Sequence, residues 1–285
     1  MSSVKAHLPQ LASLRRNAIR RIAQQQARDA LFGWGIYITA AISVGIAALL
    51  VFNSVRFVGE SSLNIIGEPF LGPLLTALSL AMLLVAVEAT LAIARPREQG
   101  SLQILFFAPI DEPILIGGHF VAGLLIYILF VALTLPILLL LAWRTNFVIP
   151  LNLVLALIPT LFAAGVSIAF SLFVSAAAPS ARSAVLILVA GILILLGLQS
   201  AYTALLSIPP TSRFYDAFLF IRTILANVQL LLAWLSPFRM LDVMLRSALN
   251  KDWLALVQQV GIALVATAVW LFAAVRMLKR RGVLP

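Results

Sequence analysis

Long apolar runs divide this chain, and short polar segments separate them. A helix needs about 20 mainly apolar residues to cross a hydrocarbon core of about 30 Å. Six runs meet this requirement, and they cover residues 31–53, 70–93, 114–142, 150–176, 184–207 and 253–276. The pattern predicts an all-α integral membrane protein, in which residues 31–285 form one domain of six transmembrane helices.

The first 30 residues have a different pattern, in which basic and apolar residues recur at helical spacing. Leu11, Leu14, Ala18 and Ile22 share one face, and most of the five arginines lie elsewhere on the helix. A basic amphipathic helix of this kind suits the lipid headgroup layer. A solvated arm is one alternative, and a transit peptide, which is also rich in arginine, is another.

Residues 217–235 are apolar enough to suggest a seventh span, although Arg222 and two amide side chains interrupt them. A seventh span would place the basic run 276–281 on the outer side of the membrane. That placement conflicts with the excess of positive charge that cytoplasmic segments carry. We therefore expect the region 208–252 to form short re-entrant helices outside.

The distribution of positive charge also orients the six predicted helices. One side of the six-span arrangement holds 13 of the 20 Lys and Arg residues, and the other side holds 7. Because cytoplasmic loops carry the excess of Lys and Arg, the first side is cytoplasmic. Both termini, the segment 94–113 and the turn 176–184 then lie in the cytoplasm.

Composition strengthens the assignment to a membrane. Hydrophobic residues make up 62% of the chain and charged residues 11%, whereas soluble domains are about 45–50% apolar and about 25% charged. There is no cysteine, so disulfides and thiolate chemistry are excluded. The net charge of +10 follows the orientation pattern, and we expect no nucleic-acid partner.

The sequence lacks the motifs of catalysis and metal binding. It contains no GxxxxGK[ST] loop for ATP and no HExxH motif, and its two histidines, His7 and His119, lie far apart. We therefore expect no enzymatic activity of its own, no metal and no cofactor.

Polar residues inside the apolar runs are the remaining candidates for function. Glu88 lies inside the second run, about six residues before its cytoplasmic end, where a carboxylate is costly and often functional, so it is a candidate intramembrane polar site. An ion pair with Arg95 or an acid near the interface is the structural alternative. Serines such as Ser175 suit either a transport path or hydrogen bonds between helices.

Residues 94–113, ARPREQGSLQILFFAPIDEP, form a polar segment between two apolar runs. We expect Pro96 to end the second helix, because a proline ring clashes with the preceding helical turn. A short surface helix can follow, in which Leu102, Leu105 and Phe106 share one side. An ordinary charged loop with an interfacial helix is the alternative.

The run REQGSLQILFFAPIDEPILIGGHFVAGLL resembles the signature of membrane subunits of type-2 ATP-binding cassette (ABC) exporters. That signature has an acidic residue, Gly-Thr-Leu, a run ending near a proline, and Gly-Lys at the start of the third span. The matching positions are Glu98, Gly100, Ser101, Leu102, Ala108, Pro109, Ile110 and Gly118. His119 stands where lysine is usual, so no lysine role is carried over.

The resemblance extends along nearly the whole chain. The N-terminal helix is similar to the family's amphipathic elbow helix, and AAAPSARSA at 176–184 is similar to its turn between spans four and five. Residues 208–252 are similar to its re-entrant helices between spans five and six. LSPF at 235–238 resembles the usual end of that region.

This resemblance implies a permease subunit of an ATP-driven exporter in the inner membrane of a prokaryote. Two copies, or one copy and a paralogous permease, would form the path within membrane lipid. Separate ABC ATPase subunits would drive transport through a coupling helix between spans two and three. The residues implied in this ATPase coupling are Arg97, Glu98, Gly100, Ser101, Leu102, Leu105, Phe106, Pro109 and Asp111.

Two other functions remain open from the sequence. One is a secondary transporter or channel that works without ATP, and the other is a membrane scaffold that anchors an ATPase without transport. The predicted spans lack a charged lining, which favours an apolar, amphipathic or lipid-like cargo.

Overall fold

The computed structural model describes residues 4–61, 70–100, 111–146, 149–206, 208 and 215–281. These residues form ten α-helices and no β-strand. Helices are expected because every backbone polar group in lipid must be satisfied within its own segment. The helices are α1 (Val4–Phe32), α2 (Trp34–Ser61), α3 (Leu71–Glu98), α4 (Glu112–Arg144), α5 (Leu151–Leu155), α6 (Leu157–Ala177), α7 (Ala181–Leu206), α8 (Tyr215–Leu235), α9 (Pro237–Leu249) and α10 (Trp253–Arg281).

Six stretches of helix in the described residues are long and apolar enough to cross a membrane. They belong to α2, α3, α4, the pair α5 and α6, α7, and α10. The prediction of an all-α protein with six spans is therefore confirmed. The observed ends differ from the predicted ones by several residues. The largest difference is at the end of α2, which is helical to Ser61.

The second span corrects one expectation. Pro96 was expected to end this helix, but α3 continues through it to Glu98. A proline removes only its own N–H donor and crowds one carbonyl. The residues beyond it regain backbone hydrogen bonds, because the N–H of Gln99 donates to the carbonyl of Arg95 and that of Gly100 to the carbonyl of Arg97. The charged residues after Pro96 are thus helical.

The fourth predicted span contains a break. The helix is interrupted at Ala156, between α5 and α6. Pro159 has no N–H to donate to the carbonyl of Leu155, and its ring crowds that carbonyl. A proline near the start of the span therefore explains why one apolar run gives two helices.

The core is centred on α6, which packs against α3, α4, α9 and α10. Its buried small residues include Ala163, Ala164 and Ser171, and such residues allow close helix approach. A Cβ atom added at Gly123 of α4 would lie 3.0 Å from side-chain atoms of Ile168 on α6. These small residues of α6 therefore lie in the interior of the bundle.

The outer surface of the bundle is apolar. Large hydrophobic side chains are exposed along α2, α7 and α10, for example Leu49, Leu193 and Phe272. A soluble protein rarely exposes so large an apolar surface, whereas lipid or a second membrane subunit covers it without cost.

The region 208–252 was predicted to contain short helices. Its described part forms α8, which is 21 residues long, and α9, which is 13 residues long. The side-chain oxygen of Ser236 accepts a hydrogen bond from the backbone N–H of Arg239, and Pro237 opens α9, so the LSPF motif begins a helix. Met240 and Leu241 are fully buried, which anchors α9 against the bundle.

Candidate functional site: the anchors of the 101–110 segment

The end of α3 is fixed by a glycine. Gly100 has φ +71, a backbone conformation that side chains other than glycine's rarely adopt. Its N–H donates to the carbonyl of Arg97, 3.1 Å away, as expected for a glycine just after the helix end. Gly100 therefore ends α3.

Arg97 and Glu98, which we call the α3 clamp, bind the turn between α6 and α7. The Arg97 guanidinium donates hydrogen bonds to the carbonyls of Ala176 and Ala178, at 3.1 and 2.7 Å. The Glu98 carboxylate accepts a hydrogen bond from the backbone N–H of Ala181, at 3.0 Å. Two adjacent side chains of α3 thus hold both sides of one turn.

The electrostatics of the α3 clamp match the helix ends that it contacts. The carbonyls at the C-terminal end of α6 carry partial negative charge, and Arg97 is a cation. The N–H groups at the start of α7 carry partial positive charge, and Glu98 is an anion. Each such contact contributes about 0.3–1 kcal/mol at an exposed helix end, so the clamp ties α3, α6 and α7 together.

Small residues let α3 approach this turn closely. Ala94, Ala178 and Ala184 are fully buried and pack together, with Ala181 beside them. One turn earlier in α6, the hydroxyl of Ser175 accepts hydrogen bonds from two backbone N–H groups of α3, at 3.1 and 3.0 Å. Ser175 therefore links two helices.

The other flank of the 101–110 segment is anchored to α1. Asp111 precedes α4, and its carboxylate forms an ion pair with Arg15, with 2.8 Å between Oδ2 and Nη2. Both side chains are more than half exposed, so the pair contributes at most about 1 kcal/mol to stability. Its main effect is to fix the start of α4 relative to the N-terminal helix α1.

The helix α1 packs on the start of α4. A Cβ atom added at Gly118 would lie 2.9 Å from Cγ2 of Ile22, so only glycine fits there without a shift. Ala23 and Ala27 are buried on the same face of α1. The elbow-like helix was expected in the headgroup layer, and the structure shows that one face of it is packed on protein.

A cavity of about 530 Å³ opens beside this junction. It is lined by Arg15 from α1, by Asp111 and Glu112 at the start of α4, and by Lys279 near the end of α10. Both signs of charge are present, which suits a partner surface that also carries both signs.

A family model described as an ABC-2 family transporter protein matches residues 3–283. The chain belongs to this family. It is a membrane permease subunit of an ABC transporter and a multi-pass membrane protein. Family membership implies pairing with an ABC ATPase subunit, and members carry no catalytic activity of their own. A comparison with curated proteins finds no match.

The structure describes only part of the predicted coupling set of this permease, and it places that part at two separate anchors. Arg97, Glu98 and Gly100 lie at the end of α3, and Asp111 lies just before α4. The remaining members lie outside the described residues, and their surface helix stays a prediction. These members are Ser101, Leu102, Leu105, Phe106 and Pro109.

Several residues of the permease site were missed by sequence reasoning. The predicted coupling set did not include Arg15, Lys279 or the turn carbonyls that Arg97 binds. The dense positive charge of α1 was a signal, but it gave no partner, since Arg15 and Asp111 are 96 residues apart. For Ser175, a hydrogen bond between helices was one of two alternatives, with its hydroxyl expected to donate, whereas the hydroxyl accepts from the N–H groups of Ile93 and Ala94.

The candidate polar site Glu88 stands apart from the α3 clamp. It lies ten residues before Glu98 on α3, which corresponds to about 15 Å along the helix, and its side chain is exposed. Among the described residues, no ion pair joins Glu88 to Arg95. Glu88 therefore has no part in the anchoring of the 101–110 segment.

Proposed function

We propose that this permease forms the path of an ATP-driven exporter as a dimer, and that motion of its ATPase partner enters through residues 97–111. The observation that supports this proposal is the anchoring of both flanks of the 101–110 segment. The α3 clamp joins one flank to α6 and α7, and the ion pair of Asp111 joins the other flank to α1. A force on the segment therefore reaches five helices, which are α3, α6 and α7 on one flank and α4 and α1 on the other.

The direction of transport and the dimer come from the sequence resemblance. The exposed apolar surface of α2 and α7 is consistent with a second membrane subunit. The cytoplasmic placement of both termini, and the inner membrane of a prokaryote, belong to the same proposal, because they rest on the excess of positive charge on one side.

The test uses spin labels, because the chain contains no cysteine and accepts a single one. Phe272 on α10 is 67% exposed and lies outside the surface of α2 and α7 assigned to the second subunit, so it is a suitable labelling position. In a complex of two labelled copies with the ATPase, the distance between labels should change when ATP binds. Absence of any distance between two labels would contradict the dimer of identical copies.

The role of the α3 clamp is tested by Arg97→Ala, with Arg95→Ala as the matched control. Arg95 lies two residues away on the same helix and is exposed. We expect both variants to assemble with the ATPase, and only Arg97→Ala to lose most of the ATP-dependent distance change. A full change in Arg97→Ala would refute the coupling role, while loss in both variants would show a general effect of charge.

A further inference from the structure

The two ends of α3 are held by different parts of the bundle. Four side chains in its middle have at most 2% of their surface exposed and belong to the core around α6, and these are Leu78, Ala81, Met82 and Val85. The last turn is held by the α3 clamp, which binds the turn between α6 and α7. Residues 86–96 connect these two parts, so they determine whether the parts move together.

The backbone hydrogen bonds of this connecting segment are weakened near each of its ends. At one end, the hydroxyl of Thr90 donates a hydrogen bond to the carbonyl of Ala86, 2.7 Å away. In a regular helix that carbonyl serves the backbone N–H of Thr90, and a hydroxyl that shares it often bends the helix. At the other end, Pro96 has no N–H to donate to the carbonyl of Ala92, and its ring crowds that carbonyl.

Ser175 of α6 acts on the same segment between these two points. Its hydroxyl oxygen accepts hydrogen bonds from the backbone N–H groups of Ile93 and Ala94, at 3.1 and 3.0 Å. In a regular helix these N–H groups serve only the carbonyls four residues earlier, so Ser175 competes with the backbone hydrogen bonds of α3 itself. A side chain that inserts among these bonds is a known cause of helix kinks.

The contact of Ser175 with α3 is buried and specific. Ser175 is fully buried, and a hydrogen bond in such surroundings is stronger than one in water. Ser171 lies one turn earlier in α6 and is equally buried, but its Oγ has no hydrogen-bond partner among the described residues. Of these two serines in similar surroundings, Ser175 is the one that bonds to the backbone of α3.

Three weakened points in one short segment, next to a separately anchored last turn, are what a hinge requires. We propose that residues 86–96 of α3 form a hinge, and that Ser175 is the positioning residue that sets its angle. The α3 clamp then turns together with the turn between α6 and α7, while the middle of α3 stays in the core. The role of the hinge in transport rests on the function proposed above, but the hinge itself is a property of this chain alone.

The first test measures amide hydrogen exchange of the full chain in phosphatidylcholine nanodiscs, without the ATPase. Pro96→Ala supplies an N–H donor for the carbonyl of Ala92, so exchange at residues 93–95 should slow at least about tenfold. The matched control is Pro136→Ala, which removes the proline inside α4 and should leave exchange in α3 unchanged. Exchange as fast in Pro96→Ala as in the wild type would overturn the hinge.

The second test uses the same exchange measurement to establish whether Ser175 acts on α3. Ser175→Ala removes the acceptor of two N–H groups, so exchange at Ile93 and Ala94 should become about 2- to 12-fold faster, the effect of one ordinary hydrogen bond. Ser171→Ala removes the same hydroxyl from the same helix and should leave both amides unchanged. Equal exchange at these amides in the two alanine variants would refute the role of Ser175.

The third test connects the hinge to transport, and it uses the complex with the ATPase and spin labels at Phe272. We expect Pro96→Ala to lose most of the ATP-dependent distance change and Pro136→Ala to retain it. A full change in Pro96→Ala, or an equal loss in both variants, would refute a specific role of the hinge in transport. Absence of any change in the wild type would count against the proposed function, whereas the exchange results support or overturn the hinge by themselves.

Discussion

The packing of α1 on α4 gives a sharp prediction, because two adjacent glycines of α4 differ in the space around them. A Cβ atom added at Gly118 would lie 2.9 Å from Cγ2 and 3.0 Å from Cβ of Ile22. These atoms are close to the backbone of α1 and cannot rotate away freely. A Cβ atom added at Gly117 would lie 3.7 Å from Cδ1 of Ile19, which is an ordinary contact.

The magnitude follows from a comparison of the two alanine variants. Replacing glycine by alanine inside a helix stabilises it by about 1 kcal/mol, and this gain applies equally to both neighbours. Overpacking costs about 1–3 kcal/mol and applies only to Gly118→Ala. We therefore expect Gly118→Ala to be less stable than Gly117→Ala by about 1–3 kcal/mol.

The assay is reversible unfolding of the purified chain in mixed detergent micelles, which gives a free energy of unfolding for each variant. Ile22→Ala should partly rescue Gly118→Ala, because it removes Cγ2 and Cδ1 of Ile22, at 2.9 and 3.1 Å, and leaves only Cβ, at 3.0 Å. A double-mutant cycle measures that coupling. Equal stability of the two glycine variants, or additive effects of Gly118→Ala and Ile22→Ala, would refute the close packing of α1 on α4.

Three further predictions follow from the anchors and the topology. Arg15→Ala should weaken the ATPase-dependent motion, and it should lower the free energy of unfolding by at most about 1 kcal/mol. The control is Arg246→Ala, which removes an ion pair of similar length and arginine exposure and should not affect the motion. Gly100→Ala should speed amide hydrogen exchange at residues 99 and 100 about 5- to 30-fold, because the left-handed backbone costs alanine about 1–2 kcal/mol. Gly100→Asn should increase the exchange rate by a smaller factor, because asparagine adopts this conformation more readily. Exchange as slow as in the wild type would contradict the left-handed end of α3. A cysteine at Arg280 should be labelled by a membrane-impermeant reagent only after the cells are permeabilised, and labelling of intact cells would contradict the cytoplasmic C-terminus.

The spans could be predicted from the sequence because each depends on one local property, the length of an apolar run. The ends of the helices were harder to predict from the sequence. Pro96 suggested an end too early, since a sequence pattern does not show that the hydrogen bonds of Gln99 and Gly100 continue the helix beyond it. Gly100 was found through resemblance, and its conformation explains why a glycine is needed there.

The candidate site was less predictable, because its contacts join distant parts of the chain. Arg97 binds carbonyls about 80 residues further along the chain. Every residue has a backbone carbonyl, so the sequence does not show which carbonyls Arg97 binds. The ion pair of Arg15 and Asp111 was missed for a related reason, since α1 offers five arginines and only the packing selects one.

The contacts of the α3 clamp have a consequence for how this protein can change over evolution. Arg97 and Glu98 recognise main-chain carbonyls and an N–H group, which any sequence of the turn without proline at position 181 would supply. Substitutions in that turn therefore need no compensating change in α3, provided that they stay small enough to fit. Correlated substitution between the two segments would be weak, although they touch. Methods that infer contacts from correlated substitutions should therefore fail to detect the contact between the α3 clamp and the turn between α6 and α7.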